Sequence, residues 1–219
     1  MDLDKLLQEP LVLDYQSQIL RISQEALWDK YKQLNTSAVP NSILFVGDSI
    51  TEFFPVHELI HADCPIYNRG VRGLTSLQLL DHIHQQIINL KPRAIFLLIG
   101  INDLKSRKSE EIFETLTTII RQIKSELPHS EIYLLSVLPM NESSQFPRIL
   151  THRNNQSILQ LNALLKNIDK VEWVDLHEQF CDESGQLALD YTVDGIHLSV
   201  KAYRVLAEKL QNSIDTIIF

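Results

Sequence analysis

The chain has 219 residues, enough for one α/β domain with a sizeable core, and its 44% hydrophobic content is ordinary for a globular protein. Asp and Glu number 28 against 20 Lys and Arg, so the formal charge of −8 argues against general nucleic-acid backbone binding or attachment to an anionic membrane surface. Cys64 and Cys181 are too few for a disulfide scaffold or a Cys-rich metal site. Met1-Asp2-Leu3-Asp4-Lys5 lacks the basic start of a signal peptide, and no apolar run approaches the ~20 residues of a membrane span. These features predict a cytoplasmic protein with reduced thiols.

The first predicted element is a helix over 15–34, presenting Ile19, Ile22, Leu27, Tyr31 and Leu34. It suits packing on a sheet or against a second subunit, so a homodimer is one expectation. Apolar runs rich in β-branched residues follow at 43–47, 65–67, 94–100, 132–138 and 171–176. Such runs suit strands buried on both faces of a parallel sheet. Between them lie helix-period stretches at 76–90, 110–127 and 155–168, and Ser199 reads as the N-cap of a last helix ending near Ile214. In 110–127 the stripe is Ile112, Phe113, Leu116, Ile119, Ile120 and Ile123, and Pro128 stops it. The alternation predicts a flavodoxin-like three-layer α/β/α sandwich with a five-stranded parallel sheet. A single domain over 1–219 is expected, with 1–40 as an N-terminal helical extension.

The six glycines locate the chemistry. Gly47, Gly70 and Gly100 stand at or just past strand ends, Gly73 in the loop after the second strand, and Gly195 before the last helix. Ligands of open parallel sheets bind beyond the carboxyl ends of the strands. Four stretches should meet there: Gly47-Asp48-Ser49-Ile50, Asn68-Arg69-Gly70-Val71-Arg72-Gly73, Gly100-Ile101-Asn102-Asp103 and Asp194-Gly195-Ile196-His197. Ester cleavage needs a nucleophile, a base, a group that orients the base, and donors for the oxyanion. Ser49, His197 and Asp194 suit the first three roles. The backbone N–H groups of Ser49 and Gly73, with the Asn102 side-chain amide, suit the oxyanion hole.

These four stretches resemble the conserved blocks of the SGNH hydrolases, also called GDSL esterases and lipases. The resemblance runs from about Ser42 to Leu210 and implies a serine esterase with Ser49 as nucleophile, Gly73 and Asn102 as oxyanion donors, and Asp194 and His197 completing the triad. It implies no cofactor or metal and a small-molecule ester as substrate, and leaves the identity of that ester open. Arg72 stands where a second glycine is common, and Ile101 replaces the commoner threonine.

Two alternatives accompany this reading. His57-Glu58-Leu59-Ile60-His61 matches the zinc-protease helix motif, with Glu58 as potential base, although Pro55 and Pro65 confine the segment. The other is a non-catalytic ester- or sugar-binding module on the same fold. The segment 139–150, with Met140, Phe146, Arg148, Ile149 and Leu150, and His152 just beyond, is expected to border the cleft.

Overall fold

A computed structural model describes residues 9–146 and 153–217. In chain order the elements are α1 (Pro10–Leu34), β1 (Ile43–Gly47), α2 (Ser49–Glu52), α3 (Val56–Leu59), β2 (Ile66–Gly70), α4 (Ser76–Asp81) and α5 (Ile83–Gln86). There follow β3 (Ala94–Leu98), α6 (Ser109–Glu126), β4 (Glu131–Leu135), α7 (Asn155–Leu165), β5 (Glu172–Val174) and α8 (Val200–Ile214). The five strands are parallel, in the order β2-β1-β3-β4-β5. This is the expected three-layer α/β/α sandwich.

Strand alternation divides the core in two. Leu44, Val46, Ile95, Leu97, Ile132 and Leu134 face one side, where they pack with Ile112, Leu116, Ile119 and Ile123 of α6 and Ile158 and Leu161 of α7. Ile43, Phe45, Phe96, Tyr133 and Leu135 face the other, against Phe54, Tyr203, Leu206 and Leu210. On that second side in-register Phe45, Phe96 and Tyr133 stack across three strands, with centroids 5.1 and 4.6 Å apart. Local signals agree with the global pattern. Thr75 and Gln78 form a capping box on α4, and Ser199 accepts from the Ala202 N–H at the start of α8.

Several boundaries differ from the sequence expectation. The 76–90 stretch is one helical period in sequence but breaks at His82, whose ring stacks on Trp28 of α1 at 3.8 Å. Strand β2 runs on through Asn68-Arg69-Gly70, polar residues that suggested a loop. It is an edge strand, so it has one neighbour and carries no continuous apolar run. The α1 stripe differs in part from the expected one. Tyr31 is buried and Leu27 packs on the core as expected, but Ile19, Ile22 and Leu34 are exposed and Gln24 is buried, because this helix docks on loop carbonyls as well as on apolar side chains. Among the described residues no helix is long and apolar enough to cross a membrane.

Candidate active site

Strands β1 and β3 are neighbours, but the chain leaves β1 toward β2 and returns on the other side to β3. That reversal opens a crevice at their carboxyl ends. The four sequence stretches meet there. A cleft of about 240 Å³ is lined by Ser49, Phe53, Gly73, Ile101, Asn102, Ile196 and His197, with Leu20, Arg72, Lys105 and Arg153 at its walls.

Ser49 opens α2, directly after β1. Asp48 is the N-cap, its carboxylate accepting from the Ile50 N–H at 3.0 Å, so the tight strand-to-helix turn presents Ser49 at the sheet edge. Gly70 makes room for this turn. A Cβ there would lie 2.2 Å from the Glu52 nitrogen, so β2 and α2 approach closely only with glycine at that position. The Ser49 Oγ lies 2.9 Å from His197 Nε2, and His197 Nδ1 lies 2.6 Å from Asp194 Oδ2. The other Asp194 oxygen accepts the backbone N–H groups of His197 at 2.8 Å and Ile196 at 3.1 Å. Thr192 pins the loop, accepting from the Gly195 N–H and donating to the His197 carbonyl. Burial pushes the Asp194 carboxyl up, but its hydrogen bonds from His197 and Ile196 outweigh that and hold it at about 2.

Gly73, with φ of +71°, lines the cleft, whereas Gly70 packs behind it. Of the two glycines, Gly73 is therefore the one that faces Ser49 across the cleft. Neither the Ser49 nor the Gly73 N–H has an acceptor among the described residues. Asn102 donates one amide hydrogen to the Leu74 carbonyl at 3.2 Å, which leaves its second hydrogen for another acceptor. Arg72 has a clear reason to replace glycine. Its backbone N–H and its guanidinium both bind the Glu52 carboxylate, tying the loop after β2 to α2.

Four supporting residues went unassigned in the sequence. Buried Asp103 accepts from the Ser76 N–H and Oγ and from Arg107, joining the loop after β3 to the start of α4. Gln24 donates to the Arg72 carbonyl at 2.8 Å, and Tyr31 donates to the Gly70 carbonyl at 2.6 Å, so α1 braces the Gly70–Gly73 turn from behind. Asp48, 1% exposed, is raised to about 6 by desolvation, partly offset by the Ile50 N–H and by the charges of His197 and Arg153. Its acid type and N-cap position were readable; its burial was not.

The zinc alternative is corrected. Helix α3 ends at Leu59 and Ile60 is extended, so His57 and His61 do not stand one turn apart on a helix. Gln211 clasps the His61 backbone at both its N–H and its carbonyl. The groove beside them is larger, about 720 Å³, but no serine lines it. Among the described residues no group of three His, Cys, Asp or Glu side chains could hold a metal ion. The expected cleft border at 139–150 is described only to Phe146; Arg148, Ile149, Leu150 and His152 lie outside the described residues. Met140 is buried, bonded through its backbone to the Asn155 side chain.

Residues 45–205 match the GDSL-like Lipase/Acylhydrolase family. A solved structure from Streptococcus pneumonia, provisionally described as a platelet activating factor, superposes with a TM-score of 0.87 at 33% identity, covering 94% of this chain and all of that one. The platelet-activating factor acetylhydrolase IB subunit alpha2 of Gallus gallus is 25% identical over 78% of this chain and 75% of its own length. The N-acylneuraminate cytidylyltransferase of Escherichia coli O18:K1:H7 is 30% identical over 78% of this chain, which spans only 39% of that longer protein. With a sheet-edge serine and histidine in contact and a family match over most of its length, the chain belongs to the GDSL-like lipase/acylhydrolase family, whose members hydrolyse carboxylic esters.

Proposed function

We propose that this chain is a serine esterase that hydrolyses small or short-acyl carboxylic esters through an acyl-enzyme. The contact chain from Ser49 Oγ through the His197 ring to Asp194, at 2.9 and 2.6 Å, carries the proposal. His197 Nε2 takes the Ser49 proton as Oγ attacks the ester carbonyl, and Asp194 holds the ring in the tautomer that leaves Nε2 free to accept. The carbonyl oxygen gains the negative charge. It is met by the N–H groups of Ser49 and Gly73 and by the second Asn102 amide hydrogen, the first being anchored on Leu74. The imidazolium then protonates the leaving alcohol, and the acyl group stays on Ser49. Water, deprotonated by His197, releases the acid and restores the serine.

The cleft, about 240 Å³, falls below the roughly 300–1,000 Å³ common for drug-sized ligands, which supports small substrates. Leu20 of α1 lines it beside Gly73, so the N-terminal helix is read as part of the same functional unit. Ser49→Ala tests the reading. It should abolish hydrolysis of 4-nitrophenyl acetate while leaving the circular dichroism and melting temperature unchanged. Retained activity in the folded variant would remove Ser49 from the mechanism.

A further inference from the structure

The charges around the cleft are unlike those of the chain as a whole. The protein is acidic, at −8, yet among the described residues three cations and no carboxylate line the cleft. Arg72 is matched by Glu52. Elsewhere Arg107 is paired with Asp103, Arg93 with Glu131 and Lys201 with Asp190. Lys105 and Arg153 are different: among the described residues neither lies within ion-pair distance of a carboxylate. The Arg153 guanidinium makes two long contacts, 3.4 Å to the Ile101 carbonyl and 3.4 Å to the Asn102 side-chain oxygen. A guanidinium carries five donors in a planar fork, so most of its donors stay uncommitted.

The surroundings do not neutralise the pair. Desolvation, and then the Arg153 charge, disfavours the charged form of Lys105; desolvation does the same to Arg153. Asp48 and Asp194 act on Arg153 only from beyond contact range. Asp48 is committed to the Ile50 N–H, and Asp194 to His197. Two like charges held together beside a reaction site, one of them half-buried, are costly unless an anion joins them.

Resting on the esterase reading above, we propose that the substrate is an anionic ester, and that Arg153 and Lys105 form a subsite for a carboxylate or phosphate group carried a few bonds from the scissile carbonyl. The contact between Arg153 and Asn102 sets that short spacing, because Asn102 is the proposed oxyanion donor. Arg153 supplies a fork that matches two anionic oxygens, and Lys105 adds a point charge at the rim.

The test uses matched esters. 4-Acetoxybenzoate is compared with its methyl ester, and 4-acetoxyphenyl phosphate with phenyl acetate, placing a carboxylate or a phosphate on the leaving group. Mono-4-nitrophenyl succinate against its methyl ester places the charge on the acyl group. At low ionic strength the anionic member of at least one pair should have kcat/KM roughly tenfold or more above its neutral partner, the scale of one charge-assisted hydrogen bond. Arg153→Gln and Lys105→Gln should each lower that ratio about fivefold or more, mainly through KM, and added salt should lower it in the wild type. The pair in which this occurs identifies the anionic group and its position. Calorimetry on Ser49→Ala gives a readout without turnover: it should bind the preferred anionic ester more tightly than its neutral partner. Ratios at or below one in every pair would overturn the proposal, as would equal losses on both members in the two variants. Neither result touches the serine reading, which fails instead if Ser49→Ala remains active.

Discussion

Asp48 offers the most quantitative check on the physics of this site. Its carboxyl is buried behind the serine with one backbone N–H as partner, and desolvation raises it from 3.8 to about 6. That rise corresponds to about 3 kcal/mol, at about 1.4 kcal/mol per unit. The native state holds this proton more tightly than the unfolded chain does. The associated stability is therefore fully present below pH 3.8, falls as pH rises to about 6, and is absent above that. Asp48→Asn keeps an oxygen for the Ile50 N–H and never ionises. Relative to wild type, the variant should gain about 2 kcal/mol of stability between pH 4.5 and 7.5, the part of the linkage that falls in this window. Urea unfolding of both proteins at the two pH values measures it. Asp194 has the opposite sign, since its carboxyl is depressed to about 2 and its stabilisation is lost as pH falls from 3.8 toward that value. It is present in both proteins and cancels in the comparison. Parallel stability curves for wild type and variant would refute the reasoning.

Other perturbations test the remaining geometry. Asn102→Ala should lower kcat by about 10²–10³ with little change in KM, because the second amide hydrogen acts only on the developing oxyanion; an unchanged kcat would reduce Asn102 to an anchor for Leu74. Asp194→Asn should cut kcat by about 10³ or more while the protein stays folded, since His197 loses the partner that sets its tautomer; steady-state kinetics beside a melting curve decide it. Gly70→Ala should cost about 3 kcal/mol, because the added Cβ would meet the Glu52 backbone 2.2 Å away rather than a movable side chain. A melting temperature within a degree or two of wild type would contradict that packing.

The parallel sheet was legible because β1, β3 and β4 are interior strands, covered on both faces, and write that burial as unbroken apolar runs. The site was legible because its four stretches carry glycine, serine, asparagine and histidine where strands end. What escaped depends on contacts distant in sequence. Arg153 lies just past the stretch expected to border the cleft, and acquires its place by meeting Asn102, 51 positions away. Gln24 carries no signal in the sequence, and only in the fold does its amide reach the Arg72 carbonyl. The break at His82 was silent because the apolar period continues through it, and only the stacking on Trp28 marks it. The zinc motif misled in the opposite way: its spacing is right for a helix, but α3 ends between its two histidines.

The family match begins at residue 45, whereas α1 ends at Leu34. A boundary drawn from homology alone would thus discard Leu20, Gln24 and Tyr31, yet those side chains touch Gly73, the Arg72 carbonyl and the Gly70 carbonyl. A truncated fragment would keep every residue of the four motifs, and lose the first two residues of β1, Ile43 and Leu44, together with the outer buttress of the Gly70–Gly73 turn. For anyone trimming or grafting this scaffold, α1 is therefore part of the folded unit to be carried along.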